Sequence, residues 1–254
     1  MVRGLELFKN YFKDYQDQYV LIGGSATFLN LSNHGIRFRG TKDLDIIIIA
    51  EALTQDFIDF FWDFVKDGGY TFLNPEGNPS FFRFTKPTKE EYPFMIEILS
   101  KTGKGIKIPD GVKVKRLSID DETVSLSAIM IDDEYYKMIL ENVIDFEGIN
   151  IVNELCLIVL KIKAYLNLKK GKDNGENIKR SNINKHKNDV FRLSQVLKGN
   201  EDFYASESIK HDVDDFLKLM INTEVDLKNL SIPGSKEYYI NQLSIIIKQI
   251  AWLS

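Results

Sequence analysis

Gly23-Gly24-Ser25-Ala26, followed downstream by Thr41-Lys42-Asp43-Leu44-Asp45-Ile46-Ile47-Ile48-Ile49, is the stretch on which the fold turns. Just before it, Tyr19-Val20-Leu21-Ile22 is a short β-rich apolar run. The two glycines let the chain turn sharply and approach a ligand closely before Ser25 opens a helix through Thr27-Phe28-Leu29-Asn30. A helix start offers unpaired N–H groups and the positive end of a dipole, which suits a triphosphate, so Gly23, Gly24 and Ser25 are candidate phosphate contacts. Asp43 and Asp45 stand two apart at the mouth of a strand expected over Leu44 to Ile49. Alternation sends both carboxylates to one face and Leu44 and Ile46 to the other. Such a pair can hold magnesium, a hard cation that binds through one or two carboxylates together with phosphates and water. Two such ions can steady both the attacking and the leaving oxygen of a phosphoryl displacement. Glu97 is the only charge in the strand-like run Pro93-Phe94-Met95-Ile96-Glu97-Ile98-Leu99, where it is costly without a partner, and it is the third candidate ligand.

The same Asp-x-Asp spacing recurs in His211-Asp212-Val213-Asp214-Asp215, but there it precedes a helical run in which acids complement the helix dipole. Asp120-Asp121-Glu122 reads as a turn and Asp132-Asp133-Glu134 as a helix start. Asp43 and Asp45 differ from these in lying at the mouth of a four-isoleucine strand, downstream of a glycine turn. Arg39 and Lys42, close by in sequence, are candidates to neutralise phosphate charge, and Thr41 is a candidate local hydrogen-bonding residue.

The order of Gly-Gly-Ser, then Arg39-Gly40-Thr41-Lys42-Asp43-Leu44-Asp45, then the strand carrying Glu97, resembles the nucleotidyltransferase superfamily, whose core is like that of DNA polymerase beta. Within it the likeness is to the AbiEii-type group, which contains toxins of toxin–antitoxin systems. The resemblance implies transfer of a nucleoside monophosphate from an NTP to an acceptor hydroxyl with release of pyrophosphate. It implies phosphate contacts from Gly24 and Ser25, metal binding by Asp43 and Asp45, and a third carboxylate, Glu97, that activates the acceptor. Leu160-Lys161-Ile162-Lys163-Ala164 and Lys187-Asn188-Asp189-Val190-Phe191-Arg192-Leu193 resemble the paired helices of this group, which implies that Lys161 and Asp189 complete the site. Arg192 departs from the pattern, since relatives often carry an acid there. The implied cofactor is Mg2+, two ions, with Mn2+ as a substitute. The implied partners are an NTP, an RNA acceptor such as tRNA, and an antitoxin protein.

The chain has 254 residues, 44% hydrophobic and 28% charged, with a formal net charge of −4, the composition of an ordinary globular protein of one large or two small domains. The N-terminal residues lack the apolar core of a signal peptide and no apolar stretch approaches a membrane span, so a cytoplasmic protein without membrane contact is expected. Cys156, the single cysteine, lies in an apolar run and reads as a buried thiol. His34, His186 and His211 lack metal-ligand spacing and read as solvent or loop residues, although His186 and its neighbour Lys187 are placed to touch a substrate. Between Lys161 and Lys198 eleven basic residues stand against three acidic ones, a local charge of +8 that leaves −12 elsewhere. Such a segment suits a polyanion, or is simply a solvated lysine-rich surface.

The expected architecture is α+β. A catalytic domain over residues 1–152 has a mixed sheet with helices, and a mainly helical domain over 153–254 completes the site. Helices are expected over Leu5 to Asp17, Phe57 to Val65, Glu154 to Leu168, Lys185 to Leu197, Ile209 to Ile221 and Glu237 to Leu253. Further strands are expected near Tyr70 to Leu73, Phe81 to Phe84, Phe94 to Leu99 and Thr123 to Ile129, and a mobile polar loop over Lys169 to Asn177. Two alternatives stand beside the leading function. One is a nucleotidyltransferase for a small antibiotic-like alcohol, which calls for an acidic acceptor cleft. The other is a non-catalytic nucleotide- or RNA-binding module on the same fold, in which loss of the three carboxylates would be expected.

Overall fold

The computed structural model describes residues 2–74, 81–100, 115–116 and 132–250. The chain forms two compact units, Met1–Asp120 with Ile139–Asn153, and Asp121–Met138 with Glu154–Ser254. The expected strand near Thr123 to Ile129 and the turn Asp120-Asp121-Glu122 lie outside the described residues.

The first unit is built on a mixed sheet, so the α+β class is observed. Its strands are β1 (Tyr19–Ile22), β2 (Asp43–Ile48), β3 (Thr71–Asn74), β4 (Phe81–Thr85), β5 (Met95–Leu99), β6 (Lys115–Arg116), β7 (Val143–Asp145) and β8 (Asn150–Val152), in the order β6-β3-β4-β5-β2-β1-β8-β7. β2 runs antiparallel to β1 and parallel to β5, and β5 runs antiparallel to β4. The β7–β8 hairpin, absent from the sequence reading, turns through Glu147 and Gly148, at φ 52° and 83°. Two left-handed residues match the twist of a two-residue hairpin.

Two helices frame the sheet's aromatic layer. α1 (Leu5–Tyr11) is shorter than the helix expected to Asp17: Phe12 leaves helical geometry at φ −101°, ψ 19°, and a 3-10 segment, Lys13–Gln18, leads into β1. α3 (Gln55–Gly68) follows α2 (Gly23–Asn33), starts where the Thr54 hydroxyl accepts from the Phe57 N–H at 3.2 Å, and stops at Gly69 in the left-handed region. Phe57, Phe61 and Phe64 of α3 are core, as expected, and Phe60 is half-buried. The fully buried Phe12 ring lies 4.5 Å from Phe8, 5.2 Å from Phe64 and 5.7 Å from Phe57, and Phe61 meets Phe84 of β4 at 5.4 Å. Burying these rings fixes one face of the sheet against α1 and α3.

The second unit is mainly helical: α5 (Glu154–Asp173), α6 (Arg180–Ser194), α7 (Glu207–Ile221) and α8 (Lys236–Ile246), with a parallel pair β9 (Phe203–Ala205) and β10 (Ile247–Gln249). α4 (Asp133–Glu141) begins where the Asp132 carboxylate accepts from the Glu134 N–H at 3.0 Å, as the Asp-Asp-Glu run suggested. Three expectations are corrected here. The loop expected from Lys169 is helical to Asp173, because Gly171 lets the returning chain pack against the helix: a Cβ there would lie 2.6 Å from Glu176 Oε2 and 2.7 Å from Ile178 Cδ1. The helix expected to Leu253 ends at Ile246, where β-branched Ile247 turns into β10. α6 begins at Arg180, five residues before the expected start.

Cys156 is buried, and burial pushes its thiol pKa up, consistent with an inert core thiol. His186 is also buried, against the expectation of a solvent position. The Asp212 carboxylate accepts from the Tyr135 hydroxyl at 2.8 Å and pairs with Lys163 at 2.7 Å, so this acid ties α7 to α4 and α5. No described helix is long and apolar enough to cross a membrane. Phe12→Ala is expected to lower stability by about 3–5 kcal/mol in urea denaturation, because it empties the centre of the aromatic layer. A loss under about 1 kcal/mol would mean that the layer closes without it.

Candidate functional site

Three adjacent strands set the site. In strand register Arg83 of β4 stands beside Glu97 of β5, Glu97 beside Asp45 of β2, and Asp45 beside Ile22 at the end of β1. Period-two alternation therefore places Arg83, Glu97 and Asp45 in one lateral row on one face, with Asp43 on that face one step along β2. Leu44, Ile46, Ile96, Ile98, Phe82 and Phe84 project to the other face and are buried. The sequence reading placed Asp43 and Asp45 correctly on a common face but did not find Arg83. The lone arginine in Phe81-Phe82-Arg83-Phe84 carries the same signal that singled out Glu97, a charge within an apolar strand.

The row is crowded with charge. Arg83 Nε donates to Glu97 Oε1 at 2.5 Å, and both residues are buried. Burial, and then the negative charge of Asp45, push the Glu97 carboxyl well above the usual carboxylate range, against the opposing pull of Arg83. Strand register sets the Asp45 side chain next to Glu97 on the same face, so the two carboxyls crowd one another. A cation would relieve the same crowding. As they stand, no three or more His, Cys, Asp and Glu side chains among the described residues are grouped to hold a metal ion. Asp43 and Asp45 nonetheless supply the one or two carboxylates from which a magnesium site with phosphate and water is made.

The glycine turn meets this row directly. α2 starts at Gly23 itself, two residues earlier than Ser25, and has no side-chain cap of its own. The Gly24 N–H donates to Asp45 Oδ2 at 3.1 Å, so a carboxylate from β2 faces the helix start and satisfies one of its open donors. Gly23 has φ +62°, and a Cβ there would fall 1.8 Å from Asp45 Oδ2, which makes glycine obligatory for both conformation and space. Ser25 is buried and its hydroxyl donates to the Asp43 main-chain oxygen, so in this structure it locks the helix start to the mouth of β2. Thr41 lies against the same carbonyl, with Oγ1 at 3.4 Å. Arg39 and Lys42 are exposed on the segment between α2 and β2, with the guanidinium over the Phe38 ring at 5.1 Å and the ammonium over the Phe94 ring at 5.8 Å.

Lys161, Lys187 and Asp189 belong to the second unit. Asp189 is fully buried on α6, 3.8 Å from the Lys161 ammonium of α5 and 3.1 Å from Arg192, one turn along its own helix. Lys187 is buried too, donating to the Glu224 main-chain oxygen at 2.8 Å, and burial lowers its pKa. The basic run from Lys161 to Lys198 is therefore not one exposed surface. Lys161 and Arg192 pair with Asp189, Lys163 with Asp212, Lys169 with Asp173, and Lys172 bonds to the Ile178 carbonyl.

Comparison of the chain with family models, with curated proteins and with solved structures yields no match.

Two outcomes follow from the row. The Glu97 carboxyl binds its proton more tightly folded than unfolded. Its contribution to stability is thus complete below its ordinary value of 4.5 and is lost as pH rises through the raised folded value. Denaturation measured across the acid-to-neutral range should show the native chain losing stability relative to Glu97→Gln as pH rises; a constant difference would rule out the raised proton affinity of Glu97. Gly23→Ala should cost at least about 1–2 kcal/mol from the left-handed backbone alone, and more than Gly24→Ala, in thermal melts of the two variants.

Proposed function

We propose that the chain is a metal-dependent nucleotidyltransferase that moves a nucleoside monophosphate from an NTP to an acceptor hydroxyl and releases pyrophosphate. The observation that carries this reading is the direct contact of the glycine turn with the carboxylate row, made by the Gly24 N–H on Asp45. Phosphate-friendly backbone and cation-binding oxygens are thereby brought to one place, as transfer of a nucleotide requires.

Asp43 and Asp45 would hold the metal, Mg2+ with Mn2+ as a substitute. When bound, the ion would neutralise triphosphate charge and lower the pKa of the acceptor hydroxyl. Arg83 fixes the Glu97 carboxyl in position and offsets its charge. Burial, and then the neighbouring Asp45, raise the proton affinity of Glu97, a property suited to a group that takes the proton from the attacking hydroxyl. Gly23 brings the helix start against Asp45 with no side chain intervening. Lys161 and Asp189 form a buried ion pair between α5 and α6 within the second unit.

The acceptor is open between two classes. A tRNA-modifying toxin neutralised by an antitoxin protein draws support from the basic run. The internal pairing of much of that run weakens the argument for a polyanionic acceptor and brings a small-molecule alcohol onto equal terms.

The chain should be incubated with MgCl2 and each α-labelled NTP in the presence of total RNA, total protein or a panel of amino alcohols, alongside Asp43→Ala/Asp45→Ala. Transfer to one of these pools is expected, reduced about a thousandfold or more in the variant, the rate equivalent of several kcal/mol of transition-state stabilisation. Absence of transfer to all three, or equal transfer by the variant, would sink the proposal. Independently of turnover, MgCl2 at a hundredfold excess over its Kd should stabilise the native chain by about 2.7 kcal/mol and the variant far less.

A further inference from the structure

A polar cavity of about 200 Å3 lies wholly within the second unit, between α6 and the segment that joins α7 to α8. Pockets for drug-sized ligands run to about 300–1,000 Å3, so this one suits a metabolite of few non-hydrogen atoms. Asn184, Lys187 and Asn188 line it from one face of α6, three and four residues apart. Glu224, Asp226 and Asn229 line it from the joining segment. That segment is pinned in place. Lys236 Nζ donates to the Thr223 carbonyl at 3.2 Å, and the Asp226 carboxylate accepts from the Asn229 N–H at 3.0 Å.

Lys187 is 8% exposed, and its ammonium spans from α6 to the joining segment, where it donates to the Glu224 main-chain oxygen at 2.8 Å. An ammonium carries three N–H donors, and among the described residues this neutral carbonyl is the one acceptor it meets. Glu224 and Asp226 are exposed, and neither carboxylate pairs with a described cation. Burial lowers the Lys187 pKa and the Glu224 charge opposes that shift, so the two charges feel one another without forming an ion pair. The cavity thus presents a mostly buried cation with open donors and, set apart from it, two open carboxylates. A buried ammonium held by a single neutral carbonyl is costly, and a ligand carboxylate would offset that cost.

We propose that this cavity binds a free α-amino acid, with its carboxylate on the Lys187 ammonium and its own ammonium on Glu224 and Asp226. Charge decides the class. A plain anion would meet two carboxylates and a plain cation would meet Lys187, whereas a zwitterion matches both signs at once. The amides of Asn184, Asn188 and Asn229 add donors and acceptors around the same space. A polypeptide carries its terminal ammonium and carboxylate at opposite ends, so the free molecule is the source. The inference uses no residue of the first unit and stands or falls apart from the proposed transferase activity.

The test is equilibrium dialysis of the full chain, without metal or nucleotide, against each standard amino acid in turn. Any that binds is then compared with its methyl ester, which lacks the carboxylate charge, and with its N-acetyl form, which lacks the ammonium. Saturable binding is expected, weakened about tenfold or more by either masking group. The same loss is expected in Lys187→Met, which keeps the stem and removes the charge, and in Glu224→Gln/Asp226→Asn, which alters exposed side chains alone. Thermal melts establish that both variants fold, and Asp43→Ala/Asp45→Ala should bind as the native chain does. Three results would overturn the proposal: no saturation by any amino acid in the millimolar range, equal binding of a masked form, or binding indifferent to either variant. Equal binding of the N-acetyl form would mean a plain anion site, and equal binding of the ester a plain cation site.

Discussion

Asp45 and Glu97 face one another across adjacent parallel strands in the interior of a sheet, and two carboxyl groups so placed cannot both carry full charge without positive charge beside them. The neighbouring parts of the first unit answer to this constraint. Arg83 enters from the next strand and bonds to Glu97. The Gly24 N–H enters from the other side and bonds to Asp45, placing the positive end of α2 on the same charge. Burial and the Asp45 charge raise the proton affinity of Glu97, which therefore keeps its proton to higher pH than an exposed glutamate. The arrangement is costly to assemble and has no evident value as packing, since an apolar row would fill the same space without desolvating charge. That cost is the physical ground for treating the row as functional.

The opposite face of the sheet supplies the stability that such a row consumes. Phe57, Phe61 and Phe64 of α3, with Phe8, Phe12 and Tyr19, make a continuous layer of ring contacts, and Phe61 carries it onto Phe84 of β4, next in sequence to Arg83. Alternation in β4 links the two faces: the ring that anchors the strand and the guanidinium that serves the carboxylates are neighbours pointing opposite ways. The charged row is held by strands whose other side is fixed by burial of large aromatic area.

The second unit handles charge differently. Asp189, fully buried, is shared by Lys161 and Arg192, and Asp212 is shared by Tyr135 and Lys163. Of these pairs, Lys161–Asp189 and Lys163–Asp212 join helices, whereas Arg192–Asp189 and Lys169–Asp173 each lie along a single helix. A run of lysines is a statement about composition, and only their partners determine whether it forms a surface.

The sequence by itself determined the local elements and their faces. Tyr19 to Ile22 and Asp43 onward as strands, the Gly-Gly turn into a helix, the aromatic helix of residues 57–65 and the common face of Asp43 and Asp45 all follow from periodicity and glycine geometry, which act over a few residues. It also marked Glu97 as a charge in need of a partner. It did not contain the register that sets Asp45 beside Glu97 and Arg83, the approach of Gly24 to Asp45, or the continuation of α5 through Lys169 to Asp173. Those depend on residues 14, 21 and more positions apart in the chain, and on close packing such as that at Gly171. The tertiary structure decided them because strand pairing and burial choose partners by shape and charge across the folded molecule, where local preference has no reach.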